Sequence, residues 1–153
     1  MLELRIHHFF DILRDYGNNK ELKPHHYGHS YHMIGKKIYK NMVKEFKIVN
    51  GSDFICKNCN KLIGDKCIDL IDHRIDFKNK EDFNNYLDER ILKAMSLSNN
   101  QIVRIEEILE KSNLYVDNIF DIYLGNSKEH TELRKINVRS GIEKKKRELK
   151  SEA

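Results

Sequence analysis

The chain has few cysteines, one proline and no long apolar run, and each shortage excludes a class of protein. Its 153 residues include three cysteines, an odd and sparse number that suits a reducing compartment better than a disulfide framework. No apolar stretch approaches the roughly 20 residues that a membrane-spanning helix needs. The first residues lack a basic segment followed by an apolar one, so they do not resemble a signal peptide. We therefore predict a cytoplasmic protein with no membrane contact.

Several catalytic and redox motifs are missing as well. The only proline, Pro24, precedes the pair Cys56 and Cys59, so no cis-proline can follow that pair as it does in thioredoxin-like proteins. Gly64-Asp65 also breaks the chain five residues after Cys59, where such a protein continues as a helix. The chain has no glycine-rich phosphate loop, no H-E-x-x-H motif and no Ser-His-Asp order. The sequence thus leaves open whether the protein is an enzyme.

An excess of charge of one sign is confined to the C-terminus. The formal net charge is +4, and residues 127–153 alone carry nine Lys or Arg against five Glu. We predict one domain over residues 1–126 and a basic helical or flexible tail over residues 127–153. The tail could contact nucleic acid phosphates or an acidic partner. The interleaved Glu143, Glu148 and Glu152 favour instead a solvated helical face.

The apolar pattern predicts a helix-dominated α+β fold with a small sheet, a cysteine loop and C-terminal helices. Two short strands are predicted at residues 2–6 and 47–49, with helices or helical turns at 9–15, 30–46, 68–75, 82–95, 98–109, 117–124 and from 140 onward. If the two strands pair in parallel, the helices between them form a crossover, and both carboxyl ends lie at one edge of the sheet. His7 and His8 follow the first strand and the cysteines follow the second, so we expect them to meet there.

The strongest chemical signal is the cysteine loop at residues 54–67. Cys56 and Cys59 have the C-x2-C spacing that lets two thiolates face one ion from a tight turn, and Cys67 follows after seven residues. We predict that the three cysteines hold an iron–sulphur cluster or Zn²⁺, with Lys57, Lys61 and Lys66 lowering the thiol pKa values. The alternative is three reduced structural cysteines with no metal.

Four residues compete to be the fourth ligand. His8 and His7 rank first because the parallel pairing would place them beside the cysteine loop. Asp11 ranks next, since it lies three and four residues after these histidines and shares their helix face. It could ligate the metal or orient a ligating imidazole. His73 ranks last and would complete a local Cys3His array.

Four of the eight histidines lie at residues 25–32. On a helix His25, His29 and His32 would share one face, which could bind zinc, nickel or copper or supply an acid–base pair. Gly28 argues against a helix here. We favour a solvated, partly aromatic loop that leads into the following helix.

Two segments carry a resemblance to a known family. The runs Leu4–Leu13 and Ile48–Cys56 resemble a small prokaryotic family of uncharacterised proteins, in which a His-His motif near a cysteine precedes a cysteine loop. That family is suspected of binding iron–sulphur clusters, and the resemblance covers roughly residues 2–73. It implies a metal or cluster protein with no assigned reaction. The chain departs from the family pattern at Asp11, where the family has cysteine, and in a longer stretch over residues 18–29.

Overall fold

The computed structural model describes residues 1–152, and helices dominate them. Its elements in chain order are β1 (Glu3–Leu4), α1 (Ile6–Gly17), α2 (Tyr31–Tyr39), β2 (Glu45–Ile48), β3 (Leu62–Ile63), β4 (Lys66–Cys67), α3 (Lys80–Met95), β5 (Ile102–Arg104), α4 (Ile105–Asp117), α5 (Ile119–Ile122) and α6 (Lys128–Glu152). The predicted helix-dominated α+β class is confirmed. None of the helices within residues 1–152 combines the length and the apolar character needed to cross a membrane.

The main sheet has three strands in the order β1-β2-β5. β1 and β2 pair in parallel, with Leu4 opposite Ile48, so the predicted parallel pair is confirmed and α1 and α2 form the crossover. Both of these side chains are fully buried. The sheet therefore places the start of α1 and the segment after β2 at the same edge, as expected for parallel strands.

The third strand replaces the first part of a predicted helix. Residues 102–104 pair antiparallel with β2, and helix α4 begins only at Ile105. Val103 is buried between two exposed neighbours, which is the alternation of a strand with one covered face. The Gln101 side chain does accept the Ser98 N–H at 3.0 Å, but this contact precedes a strand. Pairing with β2 thus outweighs the helical spacing.

Two other predicted helical segments are shorter or absent. The helix predicted over residues 30–46 ends at Tyr39, because Asn41 adopts a left-handed φ of 59° and the chain turns into β2. The predicted turns at 68–75 are irregular, apart from an isolated bridge between Leu70 and Asn79. Of the isoleucines at helical spacing, Ile68 and Ile75 are exposed and only Ile71 packs against the core, so the apolar face that the spacing predicted is not buried.

Helix α6 packs along α1 at a very close approach. The backbones meet at Gly17 and Gly141, where an added Cβ would collide with Asn137 O and Leu13 O respectively. Val138 and Ile142 are buried on the same face of α6. Residues 128–152 therefore form a helix whose inner face belongs to the core shared with α1.

Candidate metal centre

One cavity of about 70 Å³ gathers most of the predicted ligands. His8, Cys56, Cys59 and Cys67 all line it, at the junction of the start of α1, the cysteine loop and the start of α3. The parallel β1–β2 pair brings the start of α1 and the cysteine loop together, because each follows one of the two strands. The structure thus places the three thiols and the predicted ligand His8 around one small space.

The cysteine loop is shaped by hydrogen bonds to Asp53, which precedes it, and by hydrogen bonds between its own residues. The Asp53 carboxylate accepts the backbone N–H of Ile55 at 3.0 Å and of Cys56 at 3.3 Å. The Cys59 N–H then donates to Cys56 O at 3.0 Å, which closes the C-x2-C turn. Strands β3 and β4 follow as a hairpin that sets Cys67 opposite Leu62. A tight turn and a hairpin therefore bring residues 56, 59 and 67 to the same cavity.

His8 is held by a buried carboxylate. Its Nδ1 lies 2.6 Å from Oδ2 of Asp53, whose side chain is fully buried and also accepts the Arg5 N–H at 2.8 Å. A carboxylate at Nδ1 keeps the proton on that nitrogen, so the Nε2 lone pair remains free once the ring is neutral. Metal-ligating histidines usually have this arrangement. His8 therefore has the tautomer that a ligand needs.

The ion pair also shifts both titrations. Burial raises the pKa of Asp53, but His8, the Arg5 N–H and His7 together outweigh burial and lower this pKa to about 2. Burial likewise opposes charge on His8, but Asp53, with smaller contributions from Asp11 and Asp88, outweighs burial and raises the pKa of His8 above its ordinary value. A cation binding at His8 would thus replace the proton of a stabilised imidazolium.

His7 faces a different carboxylate. Its Nδ1 lies 2.7 Å from Oδ1 of Asp88, which also accepts the His7 backbone N–H at 3.1 Å. Asp88 in turn accepts Nε–H of Arg5 at 2.7 Å. His7 is buried and does not line the cavity. His7 therefore links α1 to α3. Of the two adjacent histidines, only His8 lines the cavity with the cysteines.

Asp11 and His73 also lie away from the cavity lining. Asp11 accepts Nη1–H of Arg134 at 2.8 Å and lies 3.5 Å from Nη1 of Arg14. These guanidinium groups outweigh its burial and hold the pKa of Asp11 well below its usual range. The His73 ring packs edge-on against Phe83, with 5.1 Å between ring centroids. Asp11 thus serves the contact between α1 and α6.

Arg5 is a residue of this site that the sequence did not single out. Its side chain is 1% exposed and donates to Asp88, to Asn85 at 2.7 Å and to Glu81 at 3.4 Å. Glu81 also accepts the Cys67 N–H at 3.2 Å. Arg5 therefore connects β1, α3 and the cysteine hairpin. In the sequence it is one polar position in an alternating strand, with no sign of burial.

The thiol of Cys56 does not have the lowered pKa that the nearby lysines led us to expect. Burial and Asp53 raise the pKa of Cys56 to about 12, and its Sγ donates to Asp53 Oδ1 at 3.4 Å. Lys57 lies over the Phe54 ring at 3.9 Å, and Lys61 lies over the Tyr27 ring at 5.1 Å. Without a cation this thiol is protonated, and a coordinated metal would have to displace the proton.

The three thiols and His8 line one cavity, but they do not surround a common point at metal-binding distances. Within residues 1–152, no three His, Cys, Asp or Glu side chains stand at distances that would hold a metal ion together. All three cysteines are half-buried and free. The chemistry of the donor set fits a thiolate–imidazole site, and ligation would require the side chains of the turn and hairpin to move inward.

Residues 25–30 of the histidine-rich stretch form a loop, as we favoured, whereas His32 lies in α2. Residues 25–30 precede α2, which begins at Tyr31. The rings of His25 and His26 stack with 4.3 Å between centroids, and those of His25 and His29 with 4.6 Å. His25 and His26 are exposed, whereas half-buried His29 lines the cysteine cavity. The sequence had not linked His29 to the cysteines.

Part of the basic charge at the C-terminus is used inside the fold. Arg134 pairs with Asp11, Lys144 donates to Tyr16 O at 3.0 Å, and buried Lys145 donates to the carbonyls of Ile38 and Tyr39 at 2.7 Å each. These three cations stabilise the contacts of α6 with α1 and α2. Contact between residues 127–153 and nucleic acid or an acidic partner stays a prediction.

Fold and site together define a small α+β domain with a cavity rich in thiol and imidazole groups. The chain belongs to the family described as protein of unknown function (DUF1284), whose family model matches residues 25–123. The match spans the cysteine loop, Asp53 and His29, and it leaves out His7 and His8. Membership in a family of unknown function is thereby confirmed, while the His-His motif and cluster binding stay predictions. No curated protein and no solved structure matches the chain.

Proposed function

We propose that this is a cytoplasmic metal-binding protein that holds an iron–sulphur cluster or Zn²⁺ through Cys56, Cys59, Cys67 and His8. The observation that carries the proposal is the shared cavity, which these four residues line although they come from two distant segments. A Cys3His set suits tetrahedral zinc, and three thiolates with one replaceable ligand also suit a cluster. A reducing compartment would keep the thiols available.

Among the four candidate fourth ligands, the surroundings favour His8, the only one that lines the cavity. His8 has a carboxylate at Nδ1 and lines the cavity, whereas His7 makes its bond to Asp88 away from the cavity. Asp11 is engaged by Arg134. We therefore assign Asp53 the role of orienting His8, and His7 and Asp11 the role of joining helices.

The bound metal would either stabilise the fold or carry electrons. Zinc would fasten the cysteine hairpin to the start of α1, as in a structural site. A cluster with a histidine ligand would support electron transfer or sensing, with its potential set by buried neighbours such as Arg5. In both cases Arg5 and Glu81 hold the hairpin strand of Cys67 against α3.

The test is the metal content of untagged protein purified without oxygen. We expect either a brown protein with iron and sulphide or a colourless one with about one zinc per chain. Single Cys56→Ser, Cys59→Ser and Cys67→Ser changes and His8→Ala should each lower that content. His73→Ala is the matched control and should retain it, because His73 lies outside the cavity lining. Absence of metal, or full content in the cysteine variants, would overturn the proposal.

A further inference from the structure

We propose that the mouth of the cysteine cavity binds a small anion, a carboxylate or a phosphate group, through His25, His29 and Lys80. The inference rests on the proposed metal site for its place in the molecule and adds a class of ligand to it. His29 and Lys80 line the cavity together with the cysteines. His25 stacks on His29 with 4.6 Å between centroids and only 18° between ring planes.

The two imidazoles that line the cavity, those of His8 and His29, differ in which ring nitrogen carries the proton. Nδ1 of His8 faces a carboxylate and carries the proton, which frees Nε2 for a cation. Nδ1 of His29 instead accepts the backbone N–H of Tyr31 at 3.4 Å. In neutral His29 the proton must then be on Nε2. His8 is therefore equipped to ligate a metal, and His29 to donate a hydrogen bond.

His25 repeats the pattern of His29. Its Nδ1 accepts the backbone N–H of Tyr27 at 3.1 Å, so its Nε2 also carries the proton. Burial, a neighbouring imidazole and the Lys80 ammonium lower the pKa of both His25 and His29, although Asp69 acts in the opposite direction on His25, and this favours the neutral rings. The stacked rings of His25 and His29 thus offer two Nε2–H donors, and the Lys80 ammonium offers further donors; none of these groups is a hydrogen-bond acceptor. Such a set matches the oxygens of a carboxylate or phosphate.

The two carboxylates that line the cavity are already engaged. Glu81 accepts N–H groups from Arg5 and Cys67. Asp69 lies 3.8 Å from the Lys80 ammonium, which is 45% exposed, and it accepts the Leu70 N–H at 3.0 Å. An ion pair this long and this exposed is weak. A bound anion would thus compete with Asp69 for Lys80.

The first measurement is the position of the imidazole protons in the purified protein, read from long-range ¹H–¹⁵N correlation spectra. We expect the Nε2–H tautomer for His25 and His29. The second is a titration with inorganic phosphate and, separately, with acetate, followed by calorimetry. A stronger response to one of the two identifies the group that the site prefers.

Variants then assign the binding to His29. We expect His29→Ala to weaken the binding of the preferred anion about fivefold, the effect of one hydrogen bond. His29→Gln should restore much of it, because its amide N–H lies near the position of Nε2. Asp69→Asn should tighten binding by freeing Lys80. His73→Ala is the control and should bind as the unmodified protein does, since His73 neither lines the cavity nor packs on these imidazoles.

Three results would overturn the inference: no saturable binding of either anion, unchanged binding by His29→Ala, or a proton on Nδ1 of neutral His29. The metal content of every sample is measured in parallel. If the unmodified protein has its full metal content but binds neither anion, the anion site alone is refuted. Absence of metal in the unmodified protein refutes the metal site, whatever the titration shows.

Discussion

The two ends of helix α1 use polar residues for different purposes. At its N-terminal end, His8 and His7 pair with Asp53 and Asp88, and His8 lines the cysteine cavity. One turn later, Asp11 pairs with Arg134 of α6. At the C-terminal end of α1, Gly17 lies against Gly141 of α6. Residues three positions apart on one face thus meet different neighbours. Although Asp11 shares a helix face with His8, it lies away from the cysteines because it pairs with Arg134 of α6.

The largest effect is expected at the C-terminal end of α1. Gly141→Ala would drive a methyl group into the Leu13 carbonyl, which is backbone and cannot turn aside. We expect a loss of at least about 3 kcal/mol in the free energy of unfolding, the upper end of the cost of overpacking. Urea unfolding measures this. Ser140→Ala, one position away, is the control and should change stability little. If the free energy of unfolding of the Gly141→Ala protein lay within about 1 kcal/mol of that of the unmodified protein, this would contradict the close packing of α1 and α6.

Asp11→Ala should separate stability from metal binding. The change leaves the Arg134 guanidinium without its 2.8 Å partner, and we expect a loss of about 1.5–3 kcal/mol in the free energy of unfolding. The metal content of the folded protein should not change, because Asp11 does not line the cavity. The Arg134→Met change in the same background should cost little more, since both partners are then absent. Loss of metal in folded Asp11→Ala would instead make Asp11 a ligand.

Much of this arrangement was predictable where local pattern and topology agree. Alternation indicated the first strand and a short apolar run the second, and parallel pairing of the two, if it occurred, implied that His8 and the cysteines would meet. Asp53 and Arg5 were missed, because nothing local separates a buried carboxylate or guanidinium from an exposed one. Their burial depends on partners 45 and 83 residues away. β5 was missed for a similar reason. Its apolar residues have helical spacing, and only the pairing with β2, which is distant in sequence, makes this segment a strand.

A comparison of the two histidine–carboxylate pairs sharpens the assignment of the fourth ligand. Asp53→Asn should lower metal affinity about 10–100-fold, the usual effect of losing a partner that orients a ligand. Asp88→Asn changes the corresponding partner of His7 and should leave metal affinity nearly intact in the folded protein. Retention of metal against a competing chelator measures both. If Asp88→Asn loses metal and Asp53→Asn does not, then His7 is the ligand.

The smallest effect is the acid dependence of stability that Asp53 contributes. Its pKa is about 2 in the folded protein against 3.8 as the ordinary value, so the unfolded chain binds its proton first as pH falls. The stabilisation is complete above about pH 5 and declines toward pH 2, with about 1 kcal/mol lost between pH 5 and pH 3. His8 is protonated in both states over that range, because its pKa is raised, and it adds no slope. Urea unfolding of metal-free protein should therefore show a shallower decline for Asp53→Asn than for the unmodified chain. Equal slopes would mean that the carboxylate of Asp53 is not paired in the folded state, and the orientation of His8 would then need another source.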